Sequence, residues 1–387
     1  MPYFDNAATT YPKPRRVLRS VEQAVTFYGG NPGRGGHKMA MRVSEKIYSV
    51  RKKAADFFHA DAENVIFTSN CTMATNMALK GVLREGDHVI CSCLEHNAVL
   101  RPIYKLSQTR AVEYDIAQVY EYDDDRTVAS FESLIRENTR AIVCTHTSNV
   151  SGMILPIQKL GELCRRRGII FIVDAAQSAG VLPIDMQECG INLLCMPGHK
   201  GLYGVTGSGM LILNDIDGLD TILEGGTGSL SAEVAQPDFY PDRLESGTVN
   251  TVGILSIDAG LDFIQSVGIE RIYRHEFGIC RKVYDRLRRN PAIELYTSDF
   301  LYGKNAPIVC FNVCGINSDV LVAELAEYGY ALRGGLHCAP LAHEYYGTLD
   351  RGMARFAPSY FTHDTEVEQF LKKLEIISKK LHNSLEL

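Results

Sequence analysis

The 387-residue sequence is 45% hydrophobic and 22% charged, with a formal net charge of −6. This is the composition of a globular chain long enough for two domains of roughly 150 residues each. The acidic balance, with no basic block, argues against nucleic acid as the main partner. No apolar run approaches the roughly 18 residues of a membrane span, and residues 1–10 lack the regions of a signal peptide. The expected location is the cytoplasm, away from membranes. Eleven cysteines, scattered with a Cys91-x-Cys93 pair but no CxxC pair, read as reduced thiols rather than a disulfide framework or a zinc site.

Residues 1–14 read as extended and turn-like, with Tyr3 to Thr10 followed by Pro12 and Pro14. A helix is predicted over Arg15–Phe27. The glycine-rich stretch Gly29–His37 precludes regular structure and lets backbone approach a ligand; a flexible linker with a solvated Arg34 is the alternative. Val43, Ile47, Val50, Ala54 and Phe57 recur at steps of three and four, which predicts an amphipathic helix with Arg51, Lys52 and Lys53 toward water. Val65–Thr68 is a short strand. Ser69-Asn70-Cys71-Thr72 then opens a helix over Met73–Leu83. Such a turn leaves N–H groups free for an anion, although plain capping uses the same residue types.

The strand His88–Cys91 ends near Glu95-His96-Asn97. His96 suits a planar ligand, although a lone histidine there more often reads as a surface or capping residue. Residues 111–128 are polar and acidic and are expected to be solvated. Ala141–Thr145 is a strand leading to His146-Thr147-Ser148-Asn149. Leu160–Arg167 is helical, with a basic carboxyl end. The apolar run Ile169–Val173 stops at Asp174 and reads as a buried parallel strand. Its carboxyl end is where open α/β sheets place their ligands. A second run, Ile191–Met196, ends in Pro197-Gly198-His199-Lys200-Gly201. One strand tip thus offers a carboxylate and another a lysine. Pyridoxal phosphate needs both, the lysine for its aldehyde and the carboxylate for its ring nitrogen. A capping aspartate and a surface lysine are the alternative. The alternation of strand and helix over 65–215 predicts a mostly parallel sheet with helices on both faces.

After Met210–Leu213 come a glycine-rich loop, Glu224–Ser229, and a polar turn, Glu245–Asn250. A long helix starts near Ile254, and the domain boundary falls inside it. This gives a large domain, 15–255, and a small α+β domain built from 1–14 and 256–387. The small domain reads as helix, strand (Pro307–Val313), helix (Asp319–Tyr328), further strands and a last helix opened by the capping box Thr365-x-x-Glu368. Arg355, in the alternating strand Met353–Ala357, suits bidentate binding of a carboxylate, or else faces water from an edge. Cys338 follows His337 in the loop Leu332–Pro340. A neighbouring histidine and loop exposure favour a reactive thiolate; a buried structural cysteine is the alternative.

Taken in order, DNAATT near residue 5, GHK at Lys200 and RGGLHC at Cys338 resemble the class V aminotransferase family of fold-type-I pyridoxal phosphate enzymes. The resemblance spans nearly the whole chain and is nearest to cysteine desulfurases and selenocysteine lyases. It implies a large domain with a mostly parallel seven-stranded sheet flanked by helices, plus a smaller α+β carboxyl-terminal domain. Lys200 would bond to the cofactor aldehyde and then act as base, Asp174 would pair with the ring nitrogen, and Gln177 would meet the ring hydroxyl. His96 would stack on the ring. Cys71, Thr72 and His199 would lie at the phosphate, joined by Thr248 of the partner subunit, which implies a homodimer. Asn149 and Arg355 would hold the substrate carboxylate, with Arg333, Asn6, Ala7 and His37 also on the substrate. Cys338 would take sulfur from L-cysteine, or selenium from selenocysteine, as the nucleophile, leave alanine, and pass the sulfur to an acceptor protein. Pro197 departs from a position where the family often has serine, and Ser69-Asn70-Cys71-Thr72 departs from its usual glycine-threonine-threonine. An aminotransferase or a β-eliminating lyase would share Lys200, Asp174 and Arg355, and a sulfur carrier without turnover is a further reading. Cys338 in its glycine–histidine loop favours sulfur or selenium chemistry.

Overall fold

The apolar run before Asp174 is the central strand of a seven-stranded sheet in the computed structural model, which describes residues 1–33 and 35–383. In chain order the strands are β1 (Val65–Thr68), β2 (His88–Ser92), β3 (Glu113–Ala117), β4 (Thr139–Thr145), β5 (Ile170–Asp174), β6 (Leu193–Pro197) and β7 (Gly209–Leu213). Across the sheet the order is β1-β7-β6-β5-β4-β2-β3. Neighbours run parallel except at β7, which is antiparallel to both β1 and β6. β5 is apolar at consecutive positions because both its faces are covered. Phe171 and Val173 join one core, whereas Ile172 joins the other.

The helices of this unit are α1 (Arg15–Thr26), α2 (Lys38–Phe58), α3 (Cys71–Val82), α4 (Asn97–Arg110), α5 (Asp124–Ser133), α6 (Ile157–Arg167) and α7 (Thr251–Val267). Phe58 of α2, Leu160 of α6 and Ile257 of α7 share the core of Phe171. Ala74 and Leu79 of α3, with Val99 and Ile103 of α4, share that of Ile172. The smaller unit contains α8 (Ile269–Leu287), β8 (Ile293–Leu295), β9 (Val309–Val313), α9 (Ser318–Glu327), α10 (Pro340–Tyr345), β10 (Ala354–Phe356) and α11 (Asp364–Asn383). Its three strands form an antiparallel sheet in the order β10-β9-β8. Ile279, Phe311, Leu325, Phe356 and Phe370 fill its core, together with Phe4. The division drawn at 255/256 falls inside α7, whose Ile257, Leu261 and Ile264 belong to the large sheet's core.

Two local expectations are corrected and one is refined. The polar stretch 111–128, expected to be solvated, includes the edge strand β3, which keeps Glu113 and Tyr114 exposed while it pairs with β2. Arg51 does not face water: it is buried and bonds Glu245 through two 2.8 Å contacts. At the start of α11 the box is shifted by two residues. The His363 N–H donates to Glu366 (3.0 Å), while Glu368 pairs with Lys282 (2.8 Å). Among the described residues no single helix is long and apolar enough to cross a membrane.

Two features of the backbone bring the strand tips together. The turn after Asp174 meets the turn of Lys200 at Gly180 and Gly201. A Cβ on Gly180 would lie 2.3 Å from the Gly201 carbonyl, and one on Gly201 would lie 2.3 Å from that of Ala179. No side chain fits there, so both positions need glycine. The amino-terminal segment then runs across both units. Phe4 N–H donates to Ala331 O (2.8 Å), Asn6 N–H to Ala357 O (3.2 Å) and Thr10 N–H to His199 O (3.1 Å).

Candidate active site

Asp174 ends β5 and is buried. Its Oδ1 accepts the Ala176 N–H (2.8 Å) and the Cys71 thiol (3.4 Å). No donor among the described residues reaches Oδ2. Cys71 is the first residue of α3, and burial, then the charge of Asp174, push its thiol well above the usual range. It therefore stays protonated and acts as a donor. The N–H groups of Cys71 and Thr72 lie in the first turn of α3, where no intrahelical acceptor exists, so they are free for an anion.

Lys200 follows β6. Burial, then the Arg355 guanidinium, lower its amine to about 8. The residues around it fix its backbone. Thr10 Oγ1 donates to Lys200 O (2.8 Å), and Lys13 Nζ (2.7 Å) and Thr9 Oγ1 (3.2 Å) donate to His199 O. His199 is held neutral, its pKa brought down to about 4 by burial and then by Lys200 and Lys13; its Nδ1 is buried with no partner among the described residues.

His96 caps α4. Its Nδ1 accepts the Ala98 N–H (3.0 Å), which leaves the ring proton of the neutral form on Nε2. Burial lowers its pKa against the pull of Asp174, with Lys200, Arg333 and Arg355 adding to the lowering. The preceding Glu95 is a site residue that sequence reasoning passed over. Its Oε1 accepts the Thr145 N–H (2.8 Å), and its Oε2 has no partner among the described residues. Burial pushes its carboxyl up to about 8. An acidic residue beside a histidine at a strand end was the available signal.

Arg355 lies in β10 and is buried. Nη1 donates to Asn149 O (2.8 Å) and Nη2 to Asp5 Oδ1 (3.0 Å), while Nε has no partner among the described residues. Asn149 Nδ2 in turn donates to His337 O (2.8 Å). Asp5 is the second residue the sequence did not single out, although it opens the DNAATT motif. The loop before α10 carries Cys338, the one exposed cysteine of the eleven. His337 and Cys338 have φ of +50° and +57°, left-handed geometry that is strained outside glycine. Cys338 O accepts the Asn97 N–H (2.7 Å), which seats the cysteine over the start of α4. Thr72, His96 and Cys338 line one cleft.

The expectation that His337 favours the thiolate of Cys338 is not met. Its ring is buried, its Nε2–H donates to Met353 O (2.9 Å), and burial holds its pKa well below the ordinary value. It carries no positive charge to share. Other candidates also serve the fold. Asn6 gives Nδ2 to Tyr3 O (3.2 Å) and Ala357 O (2.9 Å) and accepts the Tyr11 N–H (3.0 Å). Ala7 is buried and its carbonyl accepts Gln177 Nε2 (3.0 Å). His37 caps α2 by accepting the Ala40 N–H (3.3 Å), away from the Lys200 cleft. Thr248 lines a different cavity with Thr68 and Ser69. Arg333 is exposed on the Cys338 loop, and Pro197 closes β6 opposite Gly209. Arg34 lies outside the described residues.

The donor set fits an anionic, aldehyde-bearing pyridine. Lys200 offers a buried amine, Asp174 an unclaimed carboxylate oxygen, and α3 a free first turn for a phosphate. His199 and Arg355 add buried nitrogens without partners among the described residues. Pyridoxal 5'-phosphate has these groups.

The class-V aminotransferase family model matches residues 2–370. A probable cysteine desulfurase of Pyrococcus abyssi is 30% identical over 99% of this chain and 95% of its own length. A cysteine desulfurase of Pectobacterium atrosepticum is 29% identical, over 98% and 93%. Among solved structures, an apo cysteine desulfurase from Thermococcus onnurineus gives a TM-score of 0.89 at 29% identity, covering 98% of this chain and 95% of that one. An Escherichia coli cysteine desulfurase solved as an S-sulfonic acid gives 0.86 at 25% identity, covering 98% and 94%.

Proposed function

Because the chain belongs to the class-V aminotransferase family, we infer that it is a pyridoxal-phosphate-dependent cysteine desulfurase, converting L-cysteine to L-alanine with the sulfur taken up on Cys338. The observation that carries the reading is the exposure of Cys338 in the cleft it shares with His96. When bound, the cofactor supplies a sink for the charge that develops at the substrate α-carbon.

The chain's own residues do the rest. Lys200, with its amine near 8, takes the α-proton as the general base. Asp174 would offer Oδ2 to the ring nitrogen. Thr72 and the first turn of α3 would hold the phosphate, and His96 would cover the ring. Arg355 and Asn149 fix the substrate carboxylate. The Cys338 thiolate attacks the substrate sulfur. The sulfur–sulfur bond forms as the carbon–sulfur bond breaks, and the bonding pair stays with the carbon fragment, which is protonated and leaves as alanine. Cys338 is left as a persulfide, and an acceptor protein takes the outer sulfur. The working form is a homodimer in which Thr248 of the partner subunit reaches the phosphate. The free state of all eleven cysteines supports a reducing, cytoplasmic setting.

The test is release of alanine and sulfide from L-cysteine in the presence of a thiol reductant, comparing the native protein with Cys338→Ala. The variant is expected to keep the visible absorbance of its cofactor and to lose both products. Equal activity would show a direct β-elimination in which Cys338 has no part.

A further inference from the structure

Cys338 opens into a cleft between α3 and α4 that becomes cationic away from the candidate site. Thr72, Asn76 and Lys80 line it from α3, and Asn97, Arg101 and Lys105 line it from α4. A step of four residues keeps side chains on one helix face. The two helices therefore present matching rows that begin at the site and end in positive charge, over about 12 Å. Lys80, Arg101 and Lys105 make no ion pair among the described residues. Nearby Arg84 and Arg136, by contrast, are paired with Asp220 and Glu113. In a chain of net charge −6, three unpaired cations in one cleft mark a place for an anion.

The other anions of the reaction are provided for. The substrate carboxylate has Arg355, and the cofactor phosphate has the first turn of α3, two turns before Lys80. The sulfur acceptor is what remains. We propose that the cleft between α3 and α4 is the acceptor's docking groove, and that it selects a polypeptide whose cysteine is flanked by carboxylates. The proposal rests on the reading of Cys338 as the persulfide carrier. In the transfer, the acceptor thiol loses its proton to solvent and its sulfur attacks the outer sulfur of the persulfide. A new sulfur–sulfur bond forms to the acceptor, the bond to Cys338 Sγ breaks, and Cys338 leaves as thiolate with the electron pair. The transferred sulfur keeps its oxidation state, so no oxidant or reductant is needed. Opposite charge on the two surfaces speeds encounter and sets register, and salt screens it.

The experiment loads the holoenzyme with L-cysteine, quantifies the alanine formed, removes excess substrate and follows single-turnover transfer to three probes. Two are short synthetic peptides with one central cysteine, flanked by glutamates in one and by lysines in the other. The third is neutral 2-mercaptoethanol. Rates are expressed per thiolate. The glutamate peptide is expected to react at least about tenfold faster than the lysine peptide at low ionic strength, with the advantage collapsing near ~0.5 M salt. Lys80→Glu/Arg101→Glu/Lys105→Glu is expected to reverse the preference, and Lys105→Glu alone to weaken it. A folding defect would instead slow all three probes alike, and the single variant at this exposed position then decides. Equal rates for the two peptides with the native protein, or a preference unchanged by the substitutions, would overturn the docking proposal. Absence of alanine in the loading step would overturn the desulfurase reading itself, and the docking groove with it.

Discussion

Arg355 and Asp5 lie 350 residues apart in sequence and 3.0 Å apart in space. The guanidinium proposed for a substrate carboxylate thus already has a carboxylate partner within the protein. Removing one partner of a buried pair leaves the other charge uncompensated. Arg355 is 2% exposed, whereas Asp5 keeps 20% of its side chain in solvent, so the loss for Asp5→Asn is set at about 1–3 kcal/mol. The freed guanidinium should then grip the substrate more tightly. Asp5→Asn is expected to lower both the melting temperature and the KM for L-cysteine. Arg355→Lys, which has no planar fork, is expected to raise KM by about tenfold or more. Steady-state kinetics with a thermal melt check both, and an unchanged KM in the two variants would remove Arg355 from substrate recognition.

Lys200 makes the cofactor-free protein sensitive to pH. Its amine titrates at about 8 in the fold and at about 10.4 in an unfolded chain. Between these values the unfolded state binds more protons, so stability rises with pH across that window. Lys200→Met should flatten this rise and stabilise the cofactor-free protein near neutrality. Urea melts across the window read the effect directly; a slope that survives in the variant would mean the charge is carried elsewhere.

Glu95 has the opposite sign. Burial raises its carboxyl to about 8, well above the usual ~4.3 of the unfolded chain. The native state holds the extra proton between those values, so this contribution to stability is lost as pH rises through about 8. Glu95→Gln keeps the shape and cannot ionise. It should melt higher than the native protein above that pH and show little difference near pH 5. A variant that is less stable at every pH would show that the carboxylate, not the acid, is the native form.

Asp174 and Cys71 separate two contributions to cofactor retention. Asp174→Ala removes the carboxylate proposed to pair with the ring nitrogen and is expected to weaken cofactor binding by about 10- to 100-fold. Cys71→Val removes only one of two donors to Oδ1, and a loss below tenfold is expected. Equilibrium titration of the cofactor-free protein by absorbance measures both. Equal losses would mean that the thiol does more than steady the carboxylate.

The tips of the central strands were readable because the physics there is local. Strands covered on both faces show continuous apolar runs, so Ile170–Asp174 and Leu193–Pro197 announce themselves and deliver Asp174 and Lys200 to one sheet edge. β3 did not, since an edge strand keeps Glu113 and Tyr114 in water. Arg51 reads as solvated until Glu245, far along the chain, buries it. Asp5 has no local mark of its bond to Arg355. A one-residue difference in side-chain direction, out for Cys338 and in for His337, cannot be read from adjacent letters. Those features depend on pairings across hundreds of residues, and only the folded chain displays them.

The segment that carries Phe4, Asn6 and Thr10 ties Ala331, Ala357 and the Lys200 turn together. On the ribosome this has a consequence for timing. The strands of the large sheet are complete once Leu213 has been made, yet Ala331 and Ala357, the bonding partners of Phe4 and Asn6, are made only well after it. Until then Phe4 has no core to enter and Arg355 does not exist to meet Asp5. A nascent chain stalled before Ala357 would therefore hold a finished sheet around an unfinished site. Gain of a tightly held cofactor should follow synthesis of Ala357 rather than completion of the large sheet at Leu213.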